Sequence, residues 1–263
     1  MGGRFLQFAR KIALFKVNEN TQISYNYQYD IMKSIYYYIS TADKILEKFL
    51  HDEGYRVKEG HKYKLFNFAL RFENANFNKD YISLTEKSII KLIISGKKEI
   101  VKNILKGLFH IKKIKIDKKE FILKDIVEDK KISFTNIMLY KCLNPVIEST
   151  KNDLSNIVYL SPYESKYYEN LAKNLMKKYR LIYEEDFKEQ LFFDIDDAFK
   201  IKRKCMTIKN VNMIGYTYDI WVETTPKMQK VLYYLGLGQN NSVGAGSVDF
   251  ITSRKGEFSA KNI

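Results

Sequence analysis

The sequence predicts an α+β fold made of two tandem ferredoxin-like units, each running β-α-β-β-α-β. Three observations carry this. Apolar side chains alternate over 64–72 as in a half-buried strand, apolar stripes at three- and four-residue spacing mark helices at 29–51 and 98–110, and the order repeats after the polar segment 128–133. The expected domains are 1–128 and 134–263. With 45% hydrophobic residues, a core is available to each.

A first strand is expected over 4–17, with Asn18-Glu19-Asn20 as its turn. From Tyr29 onwards, Ile31, Ile35, Ile39, Ala42, Leu46, Phe49 and Leu50 share one stripe, which taken literally is one helix ending at His51. Ser40-Thr41-Ala42-Asp43 nevertheless reads as an N-cap with an acid in the first turn, so a pair of helices with a bend is the alternative. After a loop at 51–55, Phe66, Phe68, Leu70 and Phe72 face one way and Asn67, Ala69 and Arg71 the other. A second strand, 82–95, follows the polar turn 74–80. The helix at 98–110 carries Ile100, Val101, Ile104, Leu105, Leu108 and Phe109 on one face, and strands at 111–116 and 120–127 close the unit.

The second unit starts with a strand near 134–142. Ser161-Pro162-Tyr163-Glu164 has the form of a capping box with proline at the first helical position, and Tyr168, Leu171, Ala172, Leu175, Met176 and Tyr179 form the buried face behind it. Glu184-Glu185-Asp186 and 194–197 read as a solvated acidic region before strands at 199–208 and 211–223. Thr225-Pro226 opens the last helix, with Met228, Val231, Leu232 and Leu235 inward and Gly236 at the αL position past its end.

The net charge of +14 favours a polyanionic partner, nucleic acid or an anionic membrane surface, although a lysine-rich solvated surface accounts for part of it. No apolar run approaches the roughly 20 residues of a membrane span, and Met1-Gly2-Gly3-Arg4-Phe5 lacks the apolar core of a secretory signal, so a cytoplasmic protein is expected. Cys142, Cys205, His51, His61 and His110 show no zinc-ligand spacing; neither metal, cofactor nor disulfide is expected.

Four of the twelve glycines fall in Gly236-Leu237-Gly238-Gln239-Asn240-Asn241-Ser242-Val243-Gly244-Ala245-Gly246. Paired glycines flanking a polar segment suggest backbone amides offered to an anion, with phosphate the natural one. No lysine follows them as in a Walker loop, and the order helix-loop-strand reverses that of a dinucleotide fingerprint.

This loop resembles the glycine-rich loop of the CRISPR-associated endoribonucleases that process repeat RNA, the Cas-six family of the repeat-associated mysterious proteins. The spacing agrees throughout: two glycines one apart, five residues, then two more one apart. A second likeness lies in Asn26-Tyr27-Gln28-Tyr29, Ile35-Tyr36, Phe49-Leu50-His51 and Lys64-Leu65-Phe66. The resemblance implies a nuclease that cuts precursor CRISPR RNA within each repeat without metal. The ribose 2′-hydroxyl attacks the adjacent phosphate, leaving a 2′,3′-cyclic phosphate and a 5′-hydroxyl. It implies His51 as general acid or base, with Tyr36 and Lys64 nearby, and CRISPR repeat RNA as partner. Other effector subunits and a second copy of the chain are further candidate partners. Some members have no catalytic histidine, so a non-catalytic repeat-RNA-binding subunit is the alternative.

That chemistry needs a proton acceptor, a proton donor and positive charge on the phosphorane, tasks suited to histidine and lysine. On one straight helix Tyr36 and His51 would stand about 22 Å apart at about 1.5 Å per residue, too far to share a phosphate. The assignment therefore requires a bend near 40–43. Tyr37 and Tyr38 could replace Tyr36, and His61 is a rival base; His110 suits the carbonyl end of its helix. For RNA binding the candidates are Gly236, Gly238, Gln239, Asn240, Asn241, Ser242, Gly244 and Gly246, joined by Lys200, Lys202 and Lys204 on one face of a strand. Those lysines also fit a protected strand edge. Asp194, Asp196 and Asp197 define a weaker alternative, a metal-dependent nuclease.

Overall fold

The computed structural model describes residues 7–57, 60–195 and 201–254. In its first half the chain runs β1 (Phe8–Lys16), β2 (Thr21–Ser24), α1 (Gln28–Ala42), α2 (Lys44–Lys48), a π-helical turn (Phe49–Glu53), β3 (Tyr55–Arg56), β4 (Lys62–Tyr63), β5 (Phe66–Phe77), β6 (Tyr81–Lys97), α3 (Lys98–Ile111), β7 (Lys113–Ile116) and β8 (Lys119–Glu128). The second half runs β9 (Ile137–Cys142), β10 (Ser149–Lys151), β11 (Ile157–Tyr159), α4 (Ser165–Tyr183), β12 (Phe192–Asp194), β13 (Lys202–Ile208), β14 (Val211–Thr217), β15 (Asp219–Glu223), α5 (Pro226–Leu235), a 3-10 turn (Asn241–Val243) and β16 (Val248–Arg254).

Both halves are ferredoxin-like. In the first, β8, β1, β6 and β5 lie side by side and antiparallel, the 4-1-3-2 order of that topology, with β2 and β7 as additions. In the second, β16, β9, β15 and β12 repeat the order. Helices α1 and α3 pack closely, and a Cβ on Gly107 would stand 1.9 Å from the Tyr38 carbonyl oxygen. Only glycine permits that approach.

The second unit departs from expectation at its second strand. That strand is β12, whose Phe192 and Phe193 lie beside the acidic region read as a solvated loop; three residues flanked by carboxylates give no periodicity to detect. The segments at 199–208 and 211–223 are not consecutive strands of the main sheet. β13 and β14 instead form a separate inserted hairpin, and the chain leaves it at Tyr218 to enter β15. Three local expectations also shift. Helix α4 begins at Ser165, although the Ser161 amide does donate to the Glu164 carboxylate at 2.7 Å. Phe109 is exposed because the α3 stripe closes with Leu108 and Gly107 against α1. Gly236 has φ 81° but ψ 165°, so the chain leaves α5 extended and not through αL.

The strand expected to be half-buried is covered on both faces over its first residues. Asn67 is buried and its Nδ2 donates to the Tyr234 carbonyl at 2.8 Å; Ser95 Oγ donates to the same oxygen at 2.9 Å. Thus α5 lies on the face of the first sheet that its own helices leave open. Phe8 and Tyr234 stack there with ring centroids 5.0 Å apart. Arg10, also buried, pairs with Asp129 at 2.6 Å, donates to the Val248 carbonyl at 2.8 Å and sits over the Tyr233 ring. Stranding that guanidinium would cost several kcal/mol, so it binds the halves in one register.

Candidate active site

The expected bend is present. Helix α1 ends at Ala42; Asp43 is extended (φ −159°, ψ 96°) and its carboxylate accepts from the Leu46 amide at 2.9 Å, capping α2. The cap is Asp43 and not Ser40, whose hydroxyl turns back to the Tyr37 carbonyl. From α2 the chain continues into the π-helical turn, closed by a bond from the Gly54 amide to the Phe49 carbonyl at 2.7 Å. This reversal returns His51 to α1, where the His51 and Tyr36 rings meet edge to face with centroids 6.2 Å apart. Tyr36 also packs on Phe66. Tyr37 is exposed, and the buried Tyr38 donates to the Lys113 carbonyl, so neither takes the place of Tyr36.

Lys64 comes to the same corner. Leu65 adopts a left-handed conformation (φ 54°) that turns the chain between β4 and β5, and Lys64 Nζ donates to the His51 carbonyl at 3.0 Å. Lys62 Nζ reaches the Asp52 carbonyl at 2.8 Å. His51 Nδ1 lies 2.7 Å from Asp52 Oδ1, and the histidine side chain is 70% exposed. That hydrogen bond holds the Asp52 carboxyl below the usual carboxylate range. With Nδ1 committed to the carboxylate, Nε2 is the nitrogen free to act on a substrate. Burial pushes the Tyr36 hydroxyl up to about 12, so it stays a proton donor near neutrality. Burial and the neighbouring Lys62 charge draw Lys64 below the ordinary lysine value.

A cleft of about 680 Å³ adjoins this corner through Lys64; His51 and Tyr36 are not among its lining residues. His61, Lys62 and Lys64 line it together with Gly238, Gln239, Asn240, Asn241 and Ser242 of the glycine loop. So do Lys151, Lys173 and Lys177, which sequence reasoning passed over. Their signal was present: Asn170, Lys173, Asn174 and Lys177 recur at three- and four-residue spacing on the polar side of α4.

The loop is more tightly bound into the protein than an open amide cradle. The amides of Gly236, Leu237, Gln239, Val243, Gly244, Ala245 and Gly246 all donate to backbone carbonyls, including those of Pro145 and Ile147. Asn241 Nδ2 donates to Leu237 and Ala245 within the loop, and Gln239 bonds Glu148 and Ser149. A Cβ on Gly246 would lie 1.9 Å from the Leu237 carbonyl oxygen, and one on Gly244 2.8 Å from the Phe68 ring. The glycines therefore serve close packing, and the exposed Asn240 and half-buried Ser242 are the loop's outward side chains.

Lys202 and Lys204 are exposed on β13 and do not line the cleft; Lys200 lies outside the described residues. Their hairpin packs on the back of the loop through Met206, Met213, Ile147 and Ala245. His110 is exposed in the last turn of α3. Asp194 sits on β12, and Asp196 and Asp197 are outside the described residues, among which no cluster of three His, Cys, Asp or Glu could hold a metal.

Two family models match end to end. Residues 22–127 match CRISPR-associated protein Cas6, N-terminal, and residues 127–250 match CRISPR associated protein Cas6, C-terminal. The chain belongs to the Cas6 family. It is 29% identical over 235 residues to CRISPR-associated endoribonuclease Cas6 1 of Methanocaldococcus jannaschii, covering 87% of each chain. A solved structure titled CRISPR associated protein Cas6 superposes with TM-score 0.78 at 26% identity, covering 93% of this chain and all of that one. One titled an RAMP protein binding different RNA substrates superposes at 0.79 with 17% identity and equal coverage, a likeness of fold. Membership ties the chain, at the level of the family, to CRISPR RNA processing. No described helix is long and apolar enough to cross a membrane.

Proposed function

We propose that this protein is a metal-independent endoribonuclease that cuts precursor CRISPR RNA within the repeat. The observation that carries the proposal is the meeting of Tyr36, His51 and Lys64, distant in sequence, at a corner whose Lys64 also lines a lysine-rich cleft. The cleft holds single-stranded RNA by its phosphates along Lys62, Lys151, Lys173 and Lys177, with Asn240 and Ser242 as further contacts. At the His51 corner beside the cleft the 2′-hydroxyl attacks the adjacent phosphorus in line; the P–O5′ bond breaks, leaving a 2′,3′-cyclic phosphate and a 5′-hydroxyl. His51 Nε2 performs one of the two proton transfers, accepting from the 2′-hydroxyl or donating to the departing 5′-oxygen. Tyr36 donates a hydrogen bond to the reacting phosphate or leaving oxygen, and Lys64 supplies positive charge to the phosphorane. On this reading the chemistry belongs to the first unit, 1–128, and the glycine loop to the second, 134–263.

His51→Ala tests this reading. It should lower cleavage of a labelled repeat RNA by about 10²-fold or more and largely spare binding, and EDTA should not slow the parent protein. Cleavage by the variant at the parent rate rejects the assignment. Tight, salt-sensitive binding by the parent protein without any cut would instead favour a repeat-RNA-binding subunit.

A further inference from the structure

Lys178 and Glu148 lie buried beneath the first half of the glycine loop, and none of the proposed chemistry uses them. Lys178 projects from α4 and is 2% exposed; its Nζ donates to the carbonyls of Gly236 at 2.8 Å and Gly238 at 2.9 Å. Glu148 follows the bridge between Ile147 and Gln239 and is 1% exposed. Its Oε2 accepts from Gln239 Nε2 at 3.1 Å, while Oε1 has no hydrogen-bond partner. Burial pushes the acid up to about 8 and the amine down to about 7, and in each case the other's charge opposes the shift. A lysine and a glutamate this deep are costly to stability alone, where apolar side chains would serve better. Both, however, terminate on the loop: the lysine on two of its carbonyls, the acid on its first polar side chain.

We infer that Lys178 and Glu148 form a buried latch that positions the glycine loop for RNA, Lys178 fixing the turn from Gly236 to Gly238 and Glu148 fixing Gln239. The inference rests on the reading of the loop as an RNA contact. With that stem fixed, Asn240 and Ser242 face the cleft in one arrangement before RNA arrives, so less conformational freedom is lost on binding. Lys178 is thus a positioning residue that acts through the loop tip. Its influence should fall on affinity and not on the chemical step at His51.

The test is a double-mutant cycle in the full chain, read as the affinity for a 5′-labelled repeat RNA made uncleavable by 2′-O-methylation. Lys178→Met removes the donors while keeping most of the apolar length. It should weaken binding about tenfold yet change single-turnover cleavage of unmodified RNA at saturation less than about threefold. The tip variant Asn240→Ala/Ser242→Ala should also bind more weakly. Adding Lys178→Met to it should cost little more, because both act on one element. If the two losses multiply, or if Lys178→Met binds like the parent while the tip variant is weakened, the latch is overturned. A tip variant that binds like the parent overturns the loop reading and takes the latch with it. Should Lys178→Met not fold by thermal unfolding, Glu148→Met decides. It keeps most of the side-chain length but removes the acceptor that holds Gln239 Nε2, and it should weaken binding in the same direction with the same lack of additivity; parent-like binding would overturn the latch.

Discussion

The His51 corner, whose Lys64 lines the cleft, and the glycine loop, which lines it too, are built in contrasting ways. His51 is largely exposed and is held by one carboxylate, one ring edge and a lysine on its carbonyl. The glycine loop spends seven of its amides on protein carbonyls and leaves its glycines no room for a Cβ. Motif density in the sequence therefore marks the tightly packed loop, and the proposed reactive corner is marked by a bend and a lone histidine. A substitution at the corner should disturb chemistry and spare the fold, while one in the loop should do the reverse.

The largest effect is expected at the corner. His51→Ala should lower the cleavage rate by about 10²–10⁴-fold, the usual reach of a general acid or base, with the melting temperature unmoved. A loss of stability as large as the loss of rate would break the contrast. Next, Gly246→Ala drives a Cβ against the Leu237 carbonyl at a φ of 65° and should cost about 3 kcal/mol, seen as a lower denaturation midpoint. Tyr36→Phe keeps the ring between His51 and Phe66 but removes its proton; a fall in rate of about tenfold with near-parent stability is expected. Asp43→Ala removes the α2 cap and should cost about 1 kcal/mol, with cleavage falling further than binding because the bend sets the Tyr36 to His51 approach. The mildest is Gly60→Ala, beside the corner. It has positive φ but open space around it and should cost about 1 kcal/mol, well below Gly246→Ala.

Much of the fold could be read from pattern because both units use long amphipathic helices and alternating strands. The bend was legible as well: Ser40 to Asp43 carries a cap signal within an unbroken apolar stripe, though the residue that caps is the one whose carboxylate faces the next turn. What escaped depends on neighbours remote in sequence. β12 is a strand because β15 pairs with it, not because its three residues announce one. Asn67 reads as a solvent-facing position until α5 covers it. The loop glycines suggested an anion cradle, whereas the reason for them lies in Leu237, Ile147 and Phe68, which press where side chains would be. Lys178 reads as one more surface lysine on α4 until the loop closes over it.

The central claim is that the corner formed by Tyr36, His51 and Lys64 directs the RNA's own 2′-hydroxyl at the phosphate. Mapping the ends left on a labelled repeat RNA, cut in EDTA by the parent protein and not by His51→Ala, tests it most directly. The account predicts a 2′,3′-cyclic phosphate on the upstream fragment and a 5′-hydroxyl on the downstream one. A 3′-hydroxyl with a 5′-phosphate, or an equal yield of cuts from the His51 variant, would contradict it.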